Sequence, residues 1–251
     1  MNVVPILPQP VAIIPCPFHE QMKAHVMEEV DKIKSKGGAR EFMPDLANPN
    51  SDELYHLDYY SVLEQPQFER FRYWVEEQAE LFVKDVMGKY LNDTMIVTDS
   101  WVNICEVGGI QGPHYHGNSI VSGVYYANYD NTKHPTTYFV KNTSLMQFPD
   151  NPTINLASEK NTRYNQIDHI KANEGELLLF PATVVHGYKK NTEANRITLA
   201  MNFMPNVVGD GDYGWRVSRL SNEERLRNFT KRKKDEIWVY PDIDMEEYHS
   251  D

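Results

Sequence analysis

The chain has 251 residues, 41% hydrophobic and 24% charged, with a formal net charge of −11. That is the make-up of an ordinary globular protein long enough for one sizeable core, and the acidic balance disfavours broad, nonspecific binding to nucleic acid. The two cysteines, Cys16 and Cys105, lie outside any Cys-x-x-Cys pair, which points to a reducing, cytoplasmic compartment rather than a disulfide framework.

Residues Met1 to Phe18 are apolar but carry Pro5, Pro8, Pro10, Pro15 and Pro17 and no basic lead-in. They fit neither a signal peptide nor a membrane helix, and read as extended chain at a sheet edge. From Phe18 to Lys36, Met22, Val26, Val30 and Ile33 recur at helical spacing until Gly37-Gly38. Residues Ala39 to Glu64 read as loops and short strands. A second helix is expected from Pro66 to about Leu91, burying Phe68, Phe71, Val75, Ala79, Phe82 and Val86 as a core stripe.

Beyond Asn92-Asp93 the period changes to that of strands. Met95 to Glu106 reads as one long strand or a pair, closed by Gly108-Gly109. Pro113-His114-Tyr115-His116 follows at the entrance of a predicted strand, Ile120 to Tyr126. In extended chain, side chains two apart share a face, so His114 and His116 can approach one point. A metal ion is one occupant of that point, imidazole being the commonest protein ligand for first-row divalent metals; a pair of solvated loop histidines is the other reading.

Ala127 to Ile170 is polar and turn-rich, with Thr136 to Val140 its clearest strand, and long excursions of this kind often carry substrate contacts. After the turn signal Glu174-Gly175, the apolar run from Glu176 reads as a buried strand ending in His186. Lys189 to Asn195 reads as a hairpin loop. Arg196 to Phe203 then alternates, with Ile197, Leu199, Met201 and Phe203 on a core face and Arg196, Thr198, Ala200 and Asn202 on a polar one facing solvent or a cavity. A capping box, Ser221-x-x-Glu224, opens a basic helix, and an acidic end with Trp238 and Tyr240 follows.

Taken together, Trp101-Val-Asn103, His114-x-His116, Ser122-Gly-Val-Tyr-Tyr126, Gly175-Glu-Leu-Leu-Leu-Phe-Pro181, His186 and Arg196-x-Thr198-x-Ala-x-Asn202 resemble the 2-oxoglutarate- and Fe(II)-dependent oxygenases, specifically a subfamily common in bacteriophage genomes. The resemblance covers about residues 95–203. It implies an α+β, mainly β fold, a double-stranded β-helix or jelly roll with the N-terminal helices packed against it. The whole chain, 1–251, is then a single oxygenase-like domain with its jelly-roll core at about 95–208 and a C-terminal extension at 209–251.

By this resemblance His114 and His186 ligate Fe(II), Arg196 pairs with the distal carboxylate of 2-oxoglutarate, and Thr198, Tyr126 and Asn103 complete the cosubstrate site. The common triad has a carboxylate where this chain has His116. The resemblance, which includes the His-x-His, implies three histidine ligands; the alternative leaves His116 outside the ligand set, with water or a halide in its place. The implied activity is hydroxylation of a C–H bond of a small-molecule or peptide substrate with release of succinate and CO2, with no membrane partner. Two other classes fit parts of the pattern: a cupin-like three-histidine metalloenzyme without 2-oxoglutarate, and a non-catalytic jelly-roll binding module. Arg196 and Thr198 separate the first of these from the oxygenase, because it has no use for a cation poised for a carboxylate.

Overall fold

The computed structural model describes residues 9–35, 54–55, 61–89, 91, 93–140, 167–209 and 214–234. In chain order these form β1 (Ala12–Pro15), α1 (His19–Ser35), β2 (Leu54–Tyr55), α2 (Glu69–Leu81), β3 (Met95–Cys105), β4 (Gln111–His114), β5 (Val121–Asn128), β6 (Thr137–Val140), β7 (Ile167–His169), β8 (Glu176–Pro181), β9 (His186–Tyr188), β10 (Arg196–Pro205), β11 (Val207–Gly209), β12 (Gly214–Arg216) and α3 (Asn222–Lys234). The strands pair antiparallel into a six-stranded sheet, β1-β8-β5-β10-β3-β2, and a four-stranded sheet, β4-β9-β6-β7; β11 and β12 form a separate hairpin. This is the two-sheet arrangement of the jelly roll.

Alternation along the strands decides what lies on each side of the large sheet. Ile197, Leu199, Met201 and Phe203 of β10 join Leu177 and Leu179 of β8 in a core shared with Met22, Val26 and Val30 of α1 and Phe71, Val75 and Ala79 of α2. Leu178 and Phe180 point the other way, packing with Tyr126, Tyr129, Phe139 and Val184 between the two sheets. A strand covered on both faces has no polar side to show, which is why β8 is a continuous apolar run. At its edge lies β1, as the proline-rich start predicts.

The second helix is shorter than its periodicity suggests. It enters through 3-10 turns at Val62–Glu64 and Pro66–Phe68, and after Leu81 widens into a π turn, Phe82–Val86, that still buries Phe82 and Val83 while Val86 is exposed. Gly88, at φ 62°, ends it. Met95 to Cys105 is one strand. The capping box of α3 is formed, with Glu224 N–H donating to Ser221 Oγ at 3.2 Å and Ser221 N–H to Glu224 Oε2 at 2.8 Å. The expected helix end at Gly37-Gly38, most of the loops read for Ala39 to Glu64, residues 141–166 of the polar excursion and the acidic end lie outside the described residues.

Two expectations about connections need correcting. The apolar run does not continue to His186: β8 stops at Pro181 in the large sheet, and the turn at residues 182–185 carries the chain to β9 in the small one. Residues 189–195 are likewise no hairpin, because they join β9 of the small sheet to β10 of the large. Asn191 holds that crossing, its Nδ2 donating to the carbonyls of Cys105 (2.8 Å) and Glu106 (3.1 Å). Of the histidine pair, His114 ends β4 in the small sheet, and His116 stands in the turn that leads on to β5 in the large one. Each misreading has one cause, that periodicity reports burial but not which sheet a strand joins.

Candidate metal and cosubstrate site

Strand register brings the first two histidines together. His114 and His186 are directly opposed in the β4–β9 pair, and their ring centroids are 4.3 Å apart. The strands approach closely because residue 187 is glycine: a Cβ there would meet Gln111 O at 2.5 Å, Gly112 O at 2.8 Å and Tyr138 Oη at 2.8 Å. His116 arrives from the following turn, which is tied to the β8–β9 turn by His116 N–H donating to Ala182 O at 2.9 Å, while Ala182 N–H donates to Ile120 O at 3.0 Å. One ligand nitrogen from each of the three rings lies within 4.8 Å of the others. Among the described residues this is the one such cluster of histidine, cysteine or acidic groups.

The hydrogen bonds behind the rings fix their protons. His114 Nδ1 is 2.9 Å from Gly112 O and His186 Nδ1 is 2.9 Å from Val184 O. A carbonyl oxygen only accepts, so each Nδ1 carries its proton and each Nε2 keeps a lone pair, the tautomer a metal ligand needs. Burial against Phe180 and Phe139, then the neighbouring His114, pushes the pKa of His186 down to about 3, so this imidazole is neutral at ordinary pH. His116 has its Nδ1 3.4 Å from the carboxamide Nδ2 of Asn202, and its ring lies 5.8 Å from that of Trp101.

The polar face of β10 opens into the same cavity, which His114, His116 and His186 line together with Trp101, Asn103, Ser122, Thr137, Tyr188, Arg196 and Thr198. Arg196 is 1% exposed. Its Nε donates to Pro135 O at 2.9 Å and its guanidinium lies 3.9 Å from the centre of the Tyr188 ring, while Nη1 has no partner among the described residues. A buried charged N–H without an acceptor costs more than the roughly 1–3 kcal/mol of a neutral one, which makes this guanidinium a candidate to pair with an anion. Three clustered imidazoles beside a buried guanidinium N–H without an acceptor fit a divalent metal and a chelating carboxylate.

The remaining named residues sit as follows. Thr198 and Asn103 are buried register partners across β10 and β3, and both line the cavity. Tyr126 is buried but outside the lining; its hydroxyl lies 2.6 Å from Thr137 Oγ1 and accepts from Thr137 N–H at 3.2 Å. Thr137 is thus the group presented to the cavity at that point. Tyr188 was legible as the same-face neighbour of His186 two residues on. Pro135 was not, since it serves through its backbone carbonyl, and neither was the clamp beside it. There His134 Nδ1 accepts from Asp130 N–H at 3.0 Å and Nε2 donates to Ala194 O at 3.1 Å.

Residues 99–202 match the family model described as "Putative 2OG-Fe(II) oxygenase". Over this segment the chain is similar to the 2-oxoglutarate–Fe(II) oxygenases. The family is one of oxidoreductases, and the matched segment contains every residue of the cavity just described. No curated protein matches the chain in sequence. Solved structures resemble it in fold at low identity. HygX from Streptomyces hygroscopicus, with nickel, 2-oxoglutarate and hygromycin B bound, is 14% identical with a TM-score of 0.51 over 86% of this chain and 94% of its own. SnoN, the non-heme α-ketoglutarate-dependent epimerase of nogalamycin biosynthesis, is 12% identical, TM-score 0.54, over 84% and 87%. A Pseudomonas putida prolyl-4-hydroxylase is 11% identical, TM-score 0.52, over 78% and 92%. The oxygenase fold is therefore the double-stranded β-helix.

Proposed function

We propose that this oxygenase holds Fe(II) on His114, His116 and His186, binds 2-oxoglutarate through Arg196, and hydroxylates a C–H bond of a small molecule or peptide. The overall reaction consumes one O2 and one 2-oxoglutarate and releases succinate and CO2, one oxygen atom entering the substrate and the other the succinate. Bound iron supplies the redox chemistry. The protein's part is to hold three lone pairs on one point, to keep His186 neutral by burial, and to pair the far end of the cosubstrate.

The observation that carries this reading is the unpartnered Nη1 of a 1%-exposed arginine opening into the cavity that the histidines line. A guanidinium fork matches a carboxylate in shape and charge, and Thr198 and Asn103 stand alongside to add hydrogen bonds. A cupin-like metalloenzyme without 2-oxoglutarate would leave that buried cation unused. The free, buried Cys16 and Cys105 support a reducing compartment such as the cytoplasm, and among the described residues no helix is long and apolar enough to cross a membrane. The test is anaerobic protein loaded with Fe(II) and 2-oxoglutarate, then exposed to O2, with succinate measured. Iron-dependent succinate that falls sharply in Arg196→Ala at limiting 2-oxoglutarate is expected; no succinate with any metal would overturn the oxygenase reading.

A further inference from the structure

The third histidine differs from the other two in what stands behind it. His114 and His186 each meet a backbone carbonyl, which leaves their tautomer no choice. His116 Nδ1 instead meets the carboxamide of Asn202, a residue 2% exposed whose other end lies 2.9 Å from the hydroxyl of Ser122, also 2% exposed. The pairing is built by the fold, since Asn202 and Ser122 are opposed in the β10–β5 register, next to the bulge between Asn202 and Phe203 on the β3 side of the strand.

A carboxamide has two faces, and a half-turn exchanges them. With Nδ2 toward His116, the ring's Nδ1 must accept, its proton sits on Nε2, and no lone pair remains there for a metal. With Oδ1 toward His116, Nδ1 donates and Nε2 carries the lone pair, as in the other two histidines. Ser122 permits either arrangement, because its hydroxyl donates to Oδ1 or accepts from Nδ2 with equal ease.

We infer that Asn202, backed by Ser122, is a positioning residue that sets the tautomer of His116 and so admits it to the metal's ligand set. This rests on the three-histidine reading above. In the metal-loaded protein Oδ1 faces Nδ1–H of His116 and Nδ2 donates to Ser122 Oγ. At 3.4 Å the contact is long for a hydrogen bond, so the orientation with Nδ2 toward Nδ1 is weakly held.

The experiment uses the full chain, with Mn(II) titrations followed by electron paramagnetic resonance and nitrogen-15 spectra of the Zn(II)-loaded protein. Asn202→Leu removes both faces and is expected to weaken Mn(II) by about 10–100-fold, the usual range for a group that orients a ligand. Asn202→Asp offers acceptors only, to Nδ1–H on one side and to the Ser122 hydroxyl on the other, and is expected to restore binding to the wild-type value. The spectra should place the His116 proton on Nδ1 in wild-type and Asn202→Asp protein. Folded Asn202→Leu with undiminished affinity, a proton on Nε2 of His116 in the loaded protein, or an Asn202→Asp variant as weak as Asn202→Leu would each overturn the inference. Should the metal site itself be wrong, wild-type and His114→Ala proteins would bind Mn(II) equally poorly, and both readings would fall together.

Discussion

Arg196 is a fully buried cation lining the cavity. It lies on a strand whose opposite face is core, it is held at Nε by Pro135, and it is stacked on Tyr188, so it cannot leave the cavity to find water. Loss of its charge-assisted pairing is predicted to raise the dissociation constant for 2-oxoglutarate by roughly tenfold to a thousandfold, equivalent to about 1.5–4 kcal/mol, in Arg196→Ala. Metal affinity without cosubstrate should barely change, because no histidine ring contacts the guanidinium in the bonds described above. Calorimetry with Mn(II)-loaded protein measures both, and an unchanged constant for 2-oxoglutarate would remove Arg196 from the cosubstrate site. The place of Arg196 was legible in the sequence, since alternation put it on a polar face with Thr198, and a face backed by core has only a cavity or solvent to meet. Thr137 was not legible, because nothing in its local sequence shows that the Tyr126 hydroxyl would bond to it.

At the level of the strand pair, the β4–β9 register does what the His-x-His spacing alone does not. Two residues apart on one chain were read as a shared face, yet the closer partners are His114 and His186, 72 positions apart in sequence by their numbers and opposed across two strands. The three histidines picked out by spacing and strand ends are the ones that cluster, while the apolar run and the hairpin were put on the wrong connections, because hydrophobic period reports which face is buried and carries no information about the partner strand. Gly187 is the structural condition for this pairing. Gly187→Ala places a methyl into two backbone carbonyls and the Tyr138 hydroxyl, and is predicted to destabilise the protein by about 1–3 kcal/mol, as overpacking does, and to weaken Mn(II) by parting the two strands. Thermal unfolding and metal titration of the same preparation check this; unaltered values in both would mean that β4 and β9 have slack to give.

Across the whole molecule, the two helices and the large sheet form the apolar support, and the small sheet closes the cavity over it. Closing a cavity around imidazoles has a cost that shows with pH. Burial lowers the pKa of His186 to about 3 from an ordinary 6.5, and burial lowers that of His134, which already accepts a hydrogen bond at Nδ1. The unfolded chain takes up the His186 proton near pH 6.5, while the folded one refuses it until about pH 3. Stability of the metal-free protein is therefore fully present above about pH 6.5 and is lost as pH falls from there toward about 3. Melting temperatures between pH 7 and 5 should fall less steeply in His186→Gln than in wild type, and parallel slopes would show that His186 is not the group responsible.

Whether three imidazoles hold one metal is decided by Mn(II) affinity in the presence of 2-oxoglutarate for wild-type, His114→Ala and His116→Ala proteins. His116→Ala is predicted to lose binding as completely as His114→Ala does, while His116→Asp, which returns a carboxylate to that position, keeps it. Wild-type affinity in folded His116→Ala protein would contradict the claim and leave a two-histidine site with an open third position.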